Sequence, residues 1–227
     1  MRESGTPSNL AWSGQGLVIA LDSTQGSGSV ALAEGGVVVA TKGAVGEGKG
    51  QLAWLARALL AERARAPKDL EAVVVGVGPG RFTGVRSAVA VAKGLAWALR
   101  IPLVPVSSLD ALGARVERLV VLGDGPRAAY VGGVAFGAPR GVSHAELAEE
   151  LTARPVPVVG AALGALREAL REAVALREIE LDAAAHLRAA LAFGEAIEAH
   201  EVEPAYVREA SITPPKVAPP LLAFRDR

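Results

Sequence analysis

"GVGPGRFTGVRSAVAVAKGLAWALR", residues 76–100, decides the fold. It continues a Val-rich run at 70–77, the pattern of a central strand buried on both faces. Four glycines fall in its first nine residues (Gly76, Gly78, Gly80 and Gly84), and helical periodicity follows. Strand, glycine turn and helix therefore succeed one another. Two readings of the turn are open. In one, exposed backbone amides at a helix N-terminus cradle an anion, with Arg81 and Arg86 adding charge. In the other, glycine supplies backbone angles that other residues resist, Pro79 stiffens the bend and Thr83 caps the helix. The spacing matches neither the GxxxxGK[ST] phosphate loop nor GxGxxG, which favours the tight turn.

The helix carries more information. Between Gly84 and Leu99 only Arg86, Ser87 and Lys93 are clearly polar, and Arg86 and Lys93 share one narrow stripe. Val85, Val89, Ala92, Ala96 and Leu99 form one apolar face, and Val91, Leu95, Trp97 and Ala98 extend well beyond it. A surface helix needs an apolar stripe of only about 100°. The preceding predicted helix, 51–65, has Leu52, Leu55, Leu59 and Leu60 at helical spacing and Trp54 off that face. Two neighbouring helices with surplus apolar surface predict an interface with a second chain, the alternative being an internal core. The expected contact residues are Leu52, Trp54, Leu55, Leu59, Val85, Val89, Ala92, Leu95 and Ala96.

Working outward, residues 17–21, 29–33 and 37–41 read as three strands joined by turns, an antiparallel meander. With the strands at 70–77 and 101–106 this predicts a mixed sheet flanked by helices. Beyond Ser107, a helix cap, a helix to about 116, strands at 118–122 and 128–136, a helix at 144–151 capped by Ser143, a strand at 156–159 and helices at 161–175 and 183–200 resemble a reduced copy of the first half. The predicted organisation is a disordered extension at 1–16, a first domain at 17–110, a smaller second domain at 111–212 and a Pro-rich tail at 213–227.

Composition bounds the chemistry. Lys+Arg and Asp+Glu both number 24, giving no basic stripe for autonomous nucleic-acid binding. The 227 residues include no cysteine, which removes disulfides, thiolate metal sites and a cysteine nucleophile. The three histidines, His144, His186 and His200, form neither HxxxH nor HExxH and are expected to be solvent-facing helix residues. No apolar stretch reaches membrane-spanning length, and the N-terminus has no signal-peptide core, so a cytoplasmic protein is expected. Asp22-Ser23-Thr24 at the first strand's end could hold Mg²⁺ and phosphate oxygens, although Asp and Ser also cap turns. No Ser/His/Asp arrangement is visible.

The letters also resemble a family. Residues 17–32 are similar to the first strand, acidic turn and second strand of the actin, sugar kinase and Hsp70 superfamily. Residues 76–113 closely resemble the signature segment of the TsaB (YeaZ) family, in Gly78-Pro79-Gly80, Phe82-Thr83-Gly84, Arg86, Ala92-Lys93-Gly94-Leu95-Ala96, Ile101-Pro102 and Val106-Ser107-Ser108-Leu109. Pro204-Ala205-Tyr206-Val207-Arg208 is similar to the family's C-terminal Pro-x-Tyr-Leu-Arg. Before the first helix the family often has His-Ser, whereas this chain has Lys49-Gly50-Gln51-Leu52.

The resemblance implies an α/β fold of two actin-like (RNase H-like) domains with mixed sheets flanked by helices. It implies a non-catalytic subunit that binds and activates TsaD, the transferase that places threonylcarbamoyl on N6 of a tRNA adenosine, with the ATPase TsaE as third component. It implies association through a bundle of the first two helices, a possible homodimer, and tRNA contact only through the complex. No cofactor is expected of this chain itself; ATP or ADP at a shared interface would involve Asp22, Ser23, Thr24, Gly78 and Gly80. The rival reading is a small ATP-dependent kinase of the same superfamily.

Overall fold

The chain lays down two sheets of five strands with one connectivity used twice. A computed structural model describes residues 12–44, 51–113, 115, 119–125, 127–133, 137–170 and 175–207. In the first sheet, β1 (Leu17–Asp22), β2 (Ser29–Glu34) and β3 (Val37–Gly43) form the antiparallel meander. Helix α1 (Leu52–Glu62) then leads to β4 (Leu70–Gly78), parallel to β1, and α2 (Phe82–Leu99) to β5 (Leu103–Ser107), parallel to β4. The strand order is β3-β2-β1-β4-β5. After the single turn α3 (Ser108–Ala111) the pattern repeats in β6 (Leu119–Asp124), β7 (Ala128–Gly133), β8 (Gly137–Ser143), α4 (His144–Ala153), β9 (Val158–Ala161), α5 (Gly164–Leu170) and β10 (Leu176–Glu178). The second order, β8-β7-β6-β9-β10, is the first one over again. The predicted reduced copy is thus present in topology.

Burial explains the elements. Every residue of β1 is buried, as is β4 apart from Glu71, which accounts for their unbroken apolar runs. Leu52, Leu55, Ala56, Leu59 and Leu60 of α1 and Val85, Ala88, Val89, Ala92 and Ala96 of α2 recur at helical spacing and pack on Ile19, Leu21, Val73 and Val75. Full burial of each Leu or Val contributes about 1.5–3 kcal/mol.

The last helix, α6 (Ala183–Phe193), changes the domain assignment. It covers the other face of the first sheet, packing Ala183, Ala184, Leu187 and Ala190 against Val18, Ala20, Ala31, Val74 and Val104. The predicted second domain, 111–212, therefore ends before residue 183, and the chain returns to the first domain. The strand-like stretch after α6 then pairs Ile197 with Leu103 along the outer edge of β5. Sequence periodicity reads a helix's apolar face but not which sheet that face meets. Between the units lies an apolar cluster of Leu109, Leu112, Val120, Leu122, Tyr130, Leu181 and Ala185.

Other boundaries moved for local reasons. Helix α2 begins at Phe82 with Arg81 as its N-cap, not Thr83. Helix α3 stops at Ala111 instead of near 116, because Gly113 turns left-handed at φ 98°. The strand expected over 128–136 is β7, described to Gly133; the following β8 was not expected, being an exposed edge with a Pro and two glycines and no apolar period. The helices expected over 161–175 and 183–200 are shorter, and β10 was not predicted. Ser107 and Ser143 do cap their helices, Ser143 in a box with Glu146.

The predicted disorder of 1–16 fails at its end. Residues 12–16 dock: Trp12 Nε1 donates to the carbonyl of Gly194, and the Glu71 carboxylate accepts from Ser13 Oγ at 2.8 Å and Gly16 N at 2.6 Å. Desolvation pushes Glu71 up, but the hydrogen bonds from Ser13, Gly16 and Gly14 outweigh it and hold the carboxyl below the usual glutamate value. Residues 1–11 and the predicted Pro-rich tail at 213–227 lie outside the described residues.

Candidate functional site

The glycine turn is shaped by close backbone approach. Gly78 sits at φ 96°, Gly78–Pro79 is cis, and Ala205 N donates to Val77 O at 2.7 Å. A Cβ at Gly80 would lie 2.5 Å from Thr24 O, and one at Gly84 would overlap the Ser23 carbonyl. The first turn of α2 therefore rests directly on the β1–β2 turn. Arg81 N, at the helix start where an anion would sit, donates to Thr24 O at 2.7 Å.

Asp22, Ser23, Thr24, Gly78 and Gly80 do come together, all but the half-buried Gly80 in the interior. Asp22, Ser23 and Thr24 are buried. Asp22 Oδ1 accepts from Thr24 N at 3.0 Å and stands 3.8 Å from His186 Nδ1, which is 2.8 Å from the Asp182 carbonyl. The expectation of solvent-facing histidines is corrected for His186 and His144, both buried; only His200 is exposed. Gly76 leaves room for this contact, since a Cβ there would be 2.6 Å from Asp22 Oδ1 and 2.8 Å from His186 Nε2. Among the described residues no group of three His, Cys, Asp or Glu is placed to hold a metal.

The helices have an inner and an outer face, and the predicted contact residues fall mostly on the inner one. Leu52, Leu55, Leu59, Val85, Val89, Ala92 and Ala96 are buried against the first sheet, and Leu95 is half-buried. A partner cannot touch the buried seven in this fold. Of the predicted set Trp54 alone is fully outward, at 61% exposure. The outer face instead shows Ala53, Trp54 and Arg57 on α1, and Phe82, Arg86, Ala90, Gly94, Trp97 and Ala98 on α2. Phe82 is 41% exposed and Trp97 81%. The surplus apolar surface was readable in the sequence; which side of an all-round apolar helix meets its own sheet was not.

At the top of α2 the outer face gains a residue from far along the chain. The Arg86 guanidinium lies 3.9 Å from the Phe82 ring centroid, and Arg86 Nε donates to Tyr206 Oη at 2.8 Å. The Phe82 and Tyr206 rings are 5.6 Å apart. Tyr206 belongs to the motif Pro204-Ala205-Tyr206, and this packing gives that motif a physical role.

Comparison with known proteins is consistent with this architecture. A crystal structure from Pseudomonas aeruginosa, described as an uncharacterized protein with similarity to peptidase YEAZ, superposes with a TM-score of 0.69 at 28% identity, covering 85% of this chain and 100% of that one. YeaZ from the same organism gives 0.67 at 27%, over 84% and 99%. The Bacillus subtilis tRNA threonylcarbamoyladenosine biosynthesis protein TsaB is 57% identical over 49 residues, 22% of this chain and 21% of that protein. In sequence and fold the chain is similar to the TsaB (YeaZ) proteins. The family model for TsaD, tRNA N6-adenosine threonylcarbamoyltransferase, also matches residues 49–139 of this chain. The alignment spans about a fifth of the length of the Bacillus relative. Among the described residues no helix is long and apolar enough to cross a membrane.

Proposed function

We propose that this chain is a non-catalytic subunit in the N6-threonylcarbamoyladenosine modification of tRNA, binding and activating a TsaD-like transferase. The observation that carries the reading is the outer face of α1 and α2, where Trp54, Phe82 and Trp97 project around the small residues Ala53, Ala90, Gly94 and Ala98. Large aromatics beside small residues let a partner's helices approach closely and fill the spaces between. A homodimer would use the same face, and a TsaE-like ATPase would join the assembly of chain and transferase. tRNA is reached through that assembly, since the chain's balanced charge supplies no phosphate-tracking stripe.

This reading asks no cofactor of the chain itself and assigns ATP or ADP to a boundary shared with the partner. The buried Asp22-Ser23-Thr24 turn, with its carbonyl already on the helix amide, weighs against an autonomous kinase. The test is mass-resolved size exclusion of the chain with a TsaD-family transferase of the same organism, coupled to tRNA modification assays. A heavier complex, with activity only when both proteins are present, is expected. Trp97→Glu should abolish that complex and leave a folded chain, whereas Val89→Glu should unfold it. ATP turnover by the chain alone, without any complex, would overturn the proposal.

A further inference from the structure

We infer that Phe82, Arg86 and Tyr206 form the anchor of the partner surface, with the exposed Arg81, which precedes Phe82 and lies over Gly26, at its margin, and that its complement is a protein surface presenting a carboxylate next to an apolar side chain. The inference rests on the proposed association through α1 and α2 and adds where its binding energy concentrates and what the partner offers there.

Three observations carry it. First, the rings are on show: Phe82 is 41% and Tyr206 51% exposed, although both are engaged with Arg86. Aromatics left in water beside arginine are the composition of interface hot spots. Second, the cations lack anions. No carboxylate pairs with Arg81 or Arg86 among the described residues. Arg86 offers only its Nε to Tyr206, so its terminal nitrogens remain for a forked contact with a carboxylate. Third, the cluster is built in advance from two distant segments. Ala205 N on Val77 O, the Ile197–Leu103 pairing and Lys93 Nζ on the His200 carbonyl fasten the C-terminal segment beside α2. Tyr206 is thereby held in place before a partner arrives, which lowers the entropy cost of binding.

An anionic partner could also be RNA. The patch has two cations, not the row needed to follow a phosphate backbone, and it runs continuously into the apolar outer faces of the helices. A protein surface is the better fit.

The test is titration calorimetry of the full-length chain against the TsaD-family transferase, with a melting curve for each variant. Arg86→Ala and Tyr206→Ala should each weaken the dissociation constant by about tenfold or more, and together by less than the product, because they act as one unit. Arg81→Glu touches neither ring and keeps the Arg86–Tyr206 fastening. It should still weaken binding, with an effect that shrinks as salt rises. Wild-type binding with all three variants unchanged would overturn the anchor and leave the proposed association standing. No wild-type binding would overturn both. Loss of binding only in variants that also melt far earlier, with Arg81→Glu binding normally, would make the cluster an internal fastening and sink the inference. So would intact partner binding with lost tRNA retention by the complex, which would assign the patch to RNA.

Discussion

At the scale of single residues, the glycines of the turn act by what they leave out. Gly84 faces the Ser23 carbonyl so closely that any Cβ would overlap it, and the atom in the way is backbone, which cannot swing aside. Gly84→Ala should therefore destabilise the chain by about 2–3 kcal/mol, the scale of overpacking in a rigid core. Equilibrium urea unfolding measures it. Gly94→Ala is the control: nothing lies within 4 Å of its Cβ direction, and in mid-helix it should stabilise by about 0.5–1 kcal/mol. A glycine-rich loop kept for phosphate would show a different pattern, with Gly84→Ala folding normally and losing only ligand. The sequence held these glycines in plain view, but their spacing could not say whether the space beside each belonged to a ligand or to the next strand.

At the scale of elements, the start of the chain is fastened by one carboxylate. Glu71 at the head of β4 collects hydrogen bonds from Ser13 and Gly16, which depress its pKa. A depressed carboxyl stabilises the fold above its unfolded pKa and loses that contribution as pH falls through the lower folded value. Glu71→Gln should thus cost stability at neutral pH, and its difference from the wild type should shrink below the ordinary glutamate value of about 4.5. Thermal melts between pH 3 and 7 check this, and protease cleavage near residue 12 should quicken in the variant. Such a clasp leaves no periodic signal, because Ser13 and Gly16 meet Glu71 across more than 50 positions. The elements that were legible, β1, β4, α1 and α2, bury a continuous run or a regular face. Those that were missed, β8 and the three-residue β10, are strands at sheet edges with mostly exposed residues.

For the whole molecule, the duplicated connectivity invites cutting the chain in two, and the packing forbids it at the obvious place. The resemblance to actin-like proteins carried the two-sheet plan and the sequence boundary near 110 falls within α3, yet the second boundary could not be read, because Ala183, Ala184, Leu187 and Ala190 would suit an apolar sheet face in either unit. They cover the first. A fragment ending at residue 113 would bare Val18, Ala20, Ala31, Val74, Val104 and Val106 to water, a continuous apolar sheet face. It should be insoluble or molten, with the amides of β1 and β4 exchanging freely. Supplying residues 182–207 in trans should restore a folded complex, because that segment brings back α6, the Ile197 pairing on β5 and the Tyr206 contact with Arg86. Hydrogen exchange followed by mass spectrometry on the fragment, with and without the added segment, decides the matter. Protection of β1 and β4 in the fragment alone would show that the first sheet needs no cover from the end of the chain, and the discontinuous first domain would then be refuted.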